Sequence, residues 1–199
     1  MIIPLQINDT QIFMEKNLFG QDYAPESVSD QLLLQLNGIE FSDSFIEILR
    51  RTEQRANTFR RFYQEEHLEE IQLLTFLRDI LQEISHLLEI CPGSITYDFD
   101  DIWLQKNKAI LLAILLDCLL AEIPKGNGFG KEPQIKIQCR FQYGKLEFLY
   151  GIVGDTDPLF KNLSPHCNSL IETVVRMLNG KSSFHAEENF CFELSFKNA

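Results

Sequence analysis

The apolar residues in the first half of the chain recur every three or four positions. One such stripe runs over residues 45–63, after the capping candidates Ser42 and Ser44, and a second runs from Ile71 to Leu88. This spacing places apolar side chains on one face of a helix. We therefore predict two amphipathic helices, the second beginning near His67 and ending before residues 91–93, CPG.

A shorter apolar run, SVSDQLLLQLNG, precedes these helices at residues 27–38. It can form a helix capped by Ser27 or Ser29 and ended by Gly38. With the helix that follows Ser44, it predicts a helical hairpin over residues 26–64. Residues 1–25 show no sustained periodicity, which indicates an irregular N-terminal arm.

Beyond residue 94 the pattern changes to the alternation that is typical of strands. The alternating segments are ITYDF (95–99), QIKIQCRFQ (134–142), KLEFLYGIV (145–153), KSSFHA (181–186) and NFCFELSF (189–196). Two of them flank Tyr143-Gly144 as a β-hairpin, and a helix over Pro165–Leu178 precedes the last two. The order predicts an α+β protein, in which residues 65–199 form an α/β sandwich with helices on one face of a mixed sheet.

The segment KAILLAILLDCLLAEIPKG, residues 108–126, is apolar over most of its length. A helix that is apolar on all sides belongs in a protein core. The run Ala109–Ala121 is interrupted by Asp117 and is shorter than the roughly 20 residues that a membrane-spanning helix needs. We therefore predict a buried core helix and no membrane association.

The net charge and the cysteine content indicate which binding partners and which cellular compartment to expect. The 199-residue chain carries a formal net charge of -11, which repels nucleic acid and anionic membranes, so neither is expected as a partner. Its five cysteines form no CxxC pair, and the N-terminus lacks the pattern of a secretory signal. These features predict a cytoplasmic protein with reduced thiols.

Three segments together resemble the ChpT-type histidine phosphotransferases of alphaproteobacteria, which are similar to sensor histidine kinases. They are ILRRTEQRANTFRRFY (48–63), AILLAILLDCLLAEIPKG (109–126) and LSPHCNSLIETVVRMLNGKSSFHAEENFCFEL (163–194). The resemblance implies a helical hairpin that forms a four-helix bundle on homodimerisation, joined to a degenerate GHKL (Bergerat) ATPase domain. It also implies a phosphorelay, in which a phosphoryl group passes from one receiver domain to a histidine of the hairpin and then to another receiver.

The family's phosphoacceptor is not found at the expected position. In the family, a His-Asp pair precedes an Asn-Gly pair by about three helical turns, and the same count back from Asn37-Gly38 reaches Glu26-Ser27. A carboxylate cannot replace a nucleophilic imidazole. Neither His67 nor His86 precedes an acidic residue, which favours surface or packing roles for both. The histidines of the chain are His67, His86, His166 and His185.

The nucleotide-binding motifs of an active GHKL domain are also missing. Such a domain holds Mg²⁺ with an acid and an asparagine about a turn apart, whereas the corresponding helix here offers only Asp117 and Glu122. The segment GIVGDTDPLF, residues 151–160, lies where a D-x-G-x-G loop is expected but lacks its pattern. We predict no catalytic residue, no cofactor, no metal, and neither ATPase nor kinase activity.

Two weaker patterns each have a simpler interpretation. Asp98, Asp100 and Asp101 resemble a paired-carboxylate site, but a solvated loop beside Trp103 is favoured. The sequence Ser-Pro-His-Cys at residues 164–167 contains a thiol next to an imidazole. Adjacent helical residues point in different directions, which argues against a cysteine hydrolase.

Positive charge is concentrated on the second predicted helix of this acidic protein, at Arg50, Arg51, Arg55, Arg60 and Arg61. A receiver domain presents an acidic phosphorylation pocket, which such a helix can attract. The simpler interpretation is a solvated helix face with ion pairs to Glu47 and Glu53. The predicted partner-binding residues are Glu26, Ser27, Asp30, Arg50, Arg51 and Arg55.

Two functions therefore follow from the sequence. The first is a dimeric, histidine-phosphotransferase-like protein that binds response-regulator receiver domains. The second is a non-catalytic binding module that keeps the architecture to engage a signalling partner.

Overall fold

A computed structural model describes residues 27–36, 46, 49–50, 52–54, 70–87, 94–123, 134–153, 163–185 and 190–198. Its helices are α1 (Val28–Gln35), α2 (Leu73–Leu87), α3 (Lys106–Ala121) and α4 (Pro165–Met177). Its strands are β1 (Glu70–Gln72), β2 (Ile95–Phe99), β3 (Trp103–Gln105), β4 (Gln134–Gln142), β5 (Lys145–Val153), β6 (Lys181–His185) and β7 (Phe190–Lys197). The predicted N-terminal arm, residues 1–25, lies outside the described residues.

The main sheet has the strand order β2-β4-β5-β7-β6, and β2 is parallel to β4 while the other neighbours are antiparallel. Burial alternates along β4, β5 and β7, as expected for a sheet with one covered face. The phenol of Tyr150, on the covered face, donates a hydrogen bond to the backbone carbonyl of Leu119 in α3 over 3.3 Å. The predicted α+β fold with a mixed sheet is confirmed.

Helix α1 begins where the sequence predicts and is held there by two side chains. The Ser27 hydroxyl accepts the Asp30 N–H over 3.0 Å, which is a local cap. The carboxylate of Glu53 accepts the N–H groups of Val28 and Ser29 over 3.0 and 3.3 Å. Residues 46, 49–50 and 52–54 are helical, so this contact joins α1 to a second helical segment. The complete hairpin over residues 26–64 and its four-helix bundle stay predictions.

The start of the helix predicted from His67 is wrong within the described residues. Residues 70–72 instead form β1, which pairs antiparallel with β3 and places Ile71 opposite Leu104. Both of these side chains are buried, so the short ladder closes a part of the core, and the helix begins only at Leu73. A three-residue strand is too short to show alternation, which is why the helical period of the following residues extended the prediction too far.

None of the helices in the described part of the chain is long and apolar enough to cross a membrane.

Candidate functional site

Helix α3, the predicted counterpart of the metal-binding helix, is enclosed on every side along most of its length. Residues Ala109–Leu116 are each at most 3% exposed. Eight consecutive buried positions cover more than two turns at roughly 3.6 residues per turn, so no side of this stretch faces solvent. The helix contacts α1, α2 and α4 as well as β1 and β3. All eight side chains of this stretch are aliphatic.

Two polar residues of α3 follow the buried stretch, near the C-terminal end of the helix. Asp117 is half-buried, and desolvation raises the pKa of its carboxyl to about 6. The next residue, Cys118, has a thiol pKa held well above its usual range, first by a hydrogen bond with the Cys167 thiol and then by burial. Both shifts favour the uncharged forms. This end of the helix is therefore partly apolar in character despite its acid and thiol.

Glu122 directly follows α3 and binds the start of α4. One carboxylate oxygen accepts the Ser164 hydroxyl over 2.6 Å, and the other accepts the Ser164 N–H over 2.9 Å. The Ser164 hydroxyl in turn accepts the Cys167 N–H over 3.2 Å and caps α4. Glu122 thus connects two helices. Within the described ranges, no group of three or more histidine, cysteine, aspartate or glutamate side chains is placed to hold a metal ion.

The acids near Trp103 are each bound by a neighbouring side chain, and two of them share one arginine. Arg140 makes ion pairs with Asp98 and Asp100, the latter over 3.0 Å. The Phe141 N–H, donated over 2.7 Å, and the Arg140 guanidinium lower the pKa of Asp100. Asp101 accepts a hydrogen bond from the Gln72 amide over 2.8 Å. These bonds fasten the turn after β2 to β4 and β1, so the acids hold the backbone in place.

The structure brings some of the predicted partner-binding residues together. Ser27 caps α1 and Asp30 lies in its first turn, and Arg50 is exposed on the segment that Glu53 joins to that turn. Ser29 strengthens this junction, because its hydroxyl donates to the Leu49 carbonyl over 3.1 Å. The remaining members of the predicted set, Glu26, Arg51 and Arg55, lie outside the described residues.

The sequence reasoning missed the two capping carboxylates, Glu53 and Glu122. The simpler interpretation of the arginine-rich helix uses Glu53 for ion pairs, whereas in the structure Glu53 caps α1 from 24 and 25 residues away. Glu122 reaches Ser164 over a separation of 42 residues. Local capping patterns operate over about three residues, so no sequence signal connects partners at such distances.

The described histidines, His86, His166 and His185, are all exposed. His86 lies in the last turn of α2, His166 in the first turn of α4, and His185 at the end of the edge strand β6. The surface position expected for His86 is confirmed. His67 and residues 154–160 of the predicted loop fall outside the described residues.

Comparison with known proteins finds similarity in structure alone. No family model and no curated protein matches the sequence. The histidine kinase domain of the blue-light activated histidine kinase EL346 from Erythrobacter litoralis has a TM-score of 0.60 at 10% identity, covering 86% of this chain and 95% of that one. A structure of the EL346 kinase gives a TM-score of 0.62 at 11% identity, covering 85% of this chain and 59% of that one.

A bacterial phosphotransferase solved at 1.7 Å is 19% identical, with a TM-score of 0.47 over 84% of this chain and 86% of that one. That score is too low to support a conclusion. The EL346 comparisons establish that the described part of the chain has the fold of a histidine kinase domain, which confirms the predicted kinase-like, GHKL-type fold. The ChpT-type resemblance stays a prediction.

Proposed function

We propose that this protein is a component of two-component signalling that uses a histidine kinase fold to bind response-regulator receiver domains, without ATP chemistry of its own. The observation that carries the proposal is the buried aliphatic stretch of α3, Ala109–Leu116, in a molecule with that fold. The fold supplies the signalling context, and the stretch argues against a nucleotide site.

The argument against ATP chemistry rests on ligand availability. Magnesium bound to a nucleotide needs oxygen ligands that face a cavity, and moving an ion beside aliphatic side chains without such ligands costs many kcal/mol. Two acids remain near the end of α3. Asp117 is half-buried and belongs to no group of three potential metal ligands among the described residues, and Ser164 already binds both oxygens of Glu122. Neither is a ready metal ligand.

Receiver binding is supported by the position of Arg50. This side chain is exposed on a helical segment that Glu53 and Leu49 fix against the start of α1. An arginine held on a fixed backbone can attract the acidic phosphorylation pocket of a receiver domain. The predicted homodimer would present two such surfaces.

The test is calorimetric titration of purified receiver domains into the full chain at low and high salt. We expect binding that weakens as salt rises, and Arg50→Glu should weaken it about tenfold. Lys136→Glu is the matched control, because it makes the same charge change at an exposed position on the opposite side of the sheet from the core. The proposal would be contradicted if none of the receiver domains bound the chain. It would also be contradicted if Lys136→Glu weakened binding as much as Arg50→Glu.

Phosphotransfer is the second candidate, and the exposed imidazole of His86 on α2 is the observation that favours it. Incubation with a receiver domain carrying labelled phosphate distinguishes the two functions. A binding module acquires no label, whereas a phosphotransferase acquires label that is lost in the His86→Gln variant. Both functions predict that Mg²⁺-ATP leaves the melting temperature unchanged, so clear Mg²⁺-ATP binding would refute the absence of a nucleotide site.

A further inference from the structure

Helices α3 and α4 each carry a cysteine next to the junction between Glu122 and Ser164. Cys118 lies four residues before Glu122. Cys167 lies three residues after Ser164, whose hydroxyl accepts the Cys167 N–H over 3.2 Å. Residues three or four positions apart lie on the same side of a helix, so each cysteine lies on the side that bears the junction. The bonds between Ser164 and Glu122 therefore bring the two thiols to one place between the helices.

The two thiols contact each other at this place. A hydrogen bond joins the Cys118 and Cys167 thiols, and it is the first cause that holds the pKa of Cys118 above its usual range, before burial. Tyr150, which is fully buried in the sheet, lies near both sulfurs. Burial first, and then the charges of Cys167 and Cys118, raise the pKa of its phenol. This phenol donates to the carbonyl of Leu119, the residue after Cys118, so the sulfurs lie where α3, α4 and the sheet meet.

The two thiols differ in their access to solvent. Cys167 is only 3% exposed, whereas Cys118 is half-buried. A small reagent from solvent therefore reaches Cys118 first and finds the Cys167 thiol directly beside it. A cysteine that is oxidised to a sulfenic acid next to a second thiol condenses with that thiol to a disulfide. Cys118 thus has the place of the cysteine that reacts with an oxidant, and Cys167 has the place of the resolving cysteine.

We propose that Cys118 and Cys167 form a redox-sensitive dithiol site, which a small hydroperoxide oxidises to a disulfide that links α3 to α4. Thiol reductants reverse this link. The raised pKa of Cys118 keeps most of this residue in the thiol form, and the thiolate is the reactive species, so the site responds to sustained exposure. The site is independent of the receiver binding proposed at Arg50, and its test uses no receiver domain.

The oxidation takes two steps. In the first, the Cys118 sulfur attacks one oxygen of the hydroperoxide, the O–O bond breaks, and the thiol proton leaves with the other oxygen as an alcohol. This step gives a sulfenic acid at Cys118. In the second, the Cys167 sulfur attacks the Cys118 sulfur, the S–O bond breaks, and the hydroxyl group leaves with the Cys167 proton as water. The two sulfurs together lose two electrons, which the hydroperoxide accepts.

The test treats the reduced full chain with hydrogen peroxide, blocks the remaining thiols with N-ethylmaleimide in urea, and identifies the tryptic peptides by mass spectrometry. Cys118 lies in the tryptic peptide 109–125 and Cys167 in the peptide 162–176. The expected product is a disulfide between these two peptides, which disappears after treatment with dithiothreitol. The same oxidation of the urea-unfolded chain should give a mixture of pairs among its five cysteines, because the fold no longer selects the partner.

Single variants test the roles of the two cysteines. In Cys167→Ala the sulfenic acid at Cys118 has no resolving thiol, so dimedone should trap it on the peptide 109–125. In Cys118→Ala the shielded Cys167 thiol remains, and oxidation of the peptide 162–176 should fall about tenfold. Cys191→Ala is the matched control, because it removes a half-buried cysteine of β7 and should leave the link between Cys118 and Cys167 unchanged.

Thermal unfolding followed by circular dichroism gives a second measurement. A disulfide between residues 118 and 167 constrains the unfolded chain, so oxidation of the natural chain should raise its melting temperature by about 5 °C. Dithiothreitol should reverse this rise, and Cys118→Ala should not show it. The same melting curves show whether each variant is folded. If a variant is not folded, the comparison of the folded and urea-unfolded natural chains decides the question.

The dithiol site is supported if the folded chain forms mainly the link between Cys118 and Cys167 and if Cys191→Ala forms it equally well. Three results overturn it. The first is that peroxide produces no link between the two peptides in the folded chain. The second is that the folded and unfolded chains give the same mixture of disulfides. The third is that Cys118 of the natural chain is oxidised to the sulfinic acid, which would mean that Cys167 does not resolve the sulfenic acid.

Discussion

The two helices α3 and α4 contact each other, yet they are stabilised in different ways. Helix α4 has a Ser164 cap, proline at its first position, and Asn179 in a left-handed conformation after its end. Its apolar residues lie on one side, and Glu172 and Arg176 are exposed. Helix α3 has no side-chain cap at its start and no exposed side between Ala109 and Leu116. Local sequence signals therefore determine where α4 begins and ends, whereas burial by neighbouring elements stabilises α3.

This difference bears on function because a helix can line a ligand site only through a side that is free. Helix α4 keeps such a side, and α3 between Ala109 and Leu116 does not. In a histidine kinase fold, a helix with this degree of enclosure acts as a structural element of the core. The proposed binding function therefore relies on an outer surface, at Arg50.

The largest expected effect comes from placing a polar group inside α3. Leu112→Asn buries an amide in an aliphatic environment and leaves it without hydrogen-bond partners, so we expect a loss of about 4 kcal/mol in unfolding free energy. For a chain of this size that corresponds to a fall of roughly 10 °C in melting temperature. Urea unfolding followed by circular dichroism measures the first quantity, and calorimetry measures the second.

The matched variant on α4 is Glu172→Asn, at an exposed position. It should change the unfolding free energy by less than about 0.5 kcal/mol. If Leu112→Asn were equally mild, α3 would have access to water or to a polar partner, and the contrast between the helices would fail.

Most of the fold could be predicted from the sequence, because most of its elements, like α4, are defined by local sequence signals. The alternation in β4 and β5 and the Tyr143-Gly144 turn predicted the hairpin, and the helix predicted over Pro165–Leu178 matches α4 closely. These signals are local. The parallel pairing of β2 with β4 and the short β1–β3 ladder depend on contacts between distant residues, which a periodic pattern does not encode.

The candidate site was less predictable. The apolar character of α3 could be read from the sequence, but the structural roles of the nearby acids could not. Glu122 and Glu53 act as caps for helices far away in the chain.

A second test concerns Asp117, the acid of α3. Its pKa is raised from 3.8 to about 6 by burial, so the folded state holds a proton that the unfolded state has already lost. The stabilisation by this proton is complete below about pH 4 and is lost as pH rises through about 6. Asp117→Asn should therefore be more stable than the natural chain at pH 7.5 by about 2 kcal/mol, and this advantage should shrink toward pH 4.

The measurement is urea unfolding of both chains at several values between pH 4 and 7.5, compared as differences so that other titrating groups cancel. Asp79→Asn, at an exposed position on α2, is the control and should show little difference at any pH. An advantage of Asp117→Asn that is constant across this range would show that Asp117 is fully solvated, contrary to its place in α3.

The junction between the helices gives a third, smaller effect. Ser164→Ala removes the cap of α4 and one hydrogen bond to Glu122, and we expect a loss of about 1.5 kcal/mol in unfolding free energy. Ser169→Ala, inside the same helix, should be neutral or slightly stabilising because alanine has the higher helix propensity. Equal effects in urea unfolding would mean that the cap is not what defines the start of α4.

The smallest effect is expected on the exposed side of α4, where Arg176 donates a hydrogen bond to the Gln35 side chain of α1 over 3.3 Å. Both groups are solvated, so Arg176→Ala should lower the unfolding free energy by less than about 0.5 kcal/mol. A double-mutant cycle with Gln35→Ala isolates the contact from the charge of Arg176 at the helix end, and the coupling should be similarly small. A coupling above about 1 kcal/mol would mean that α4 also depends on tertiary contacts on its outer side. The two helices would then differ in degree of burial and no longer in what stabilises them.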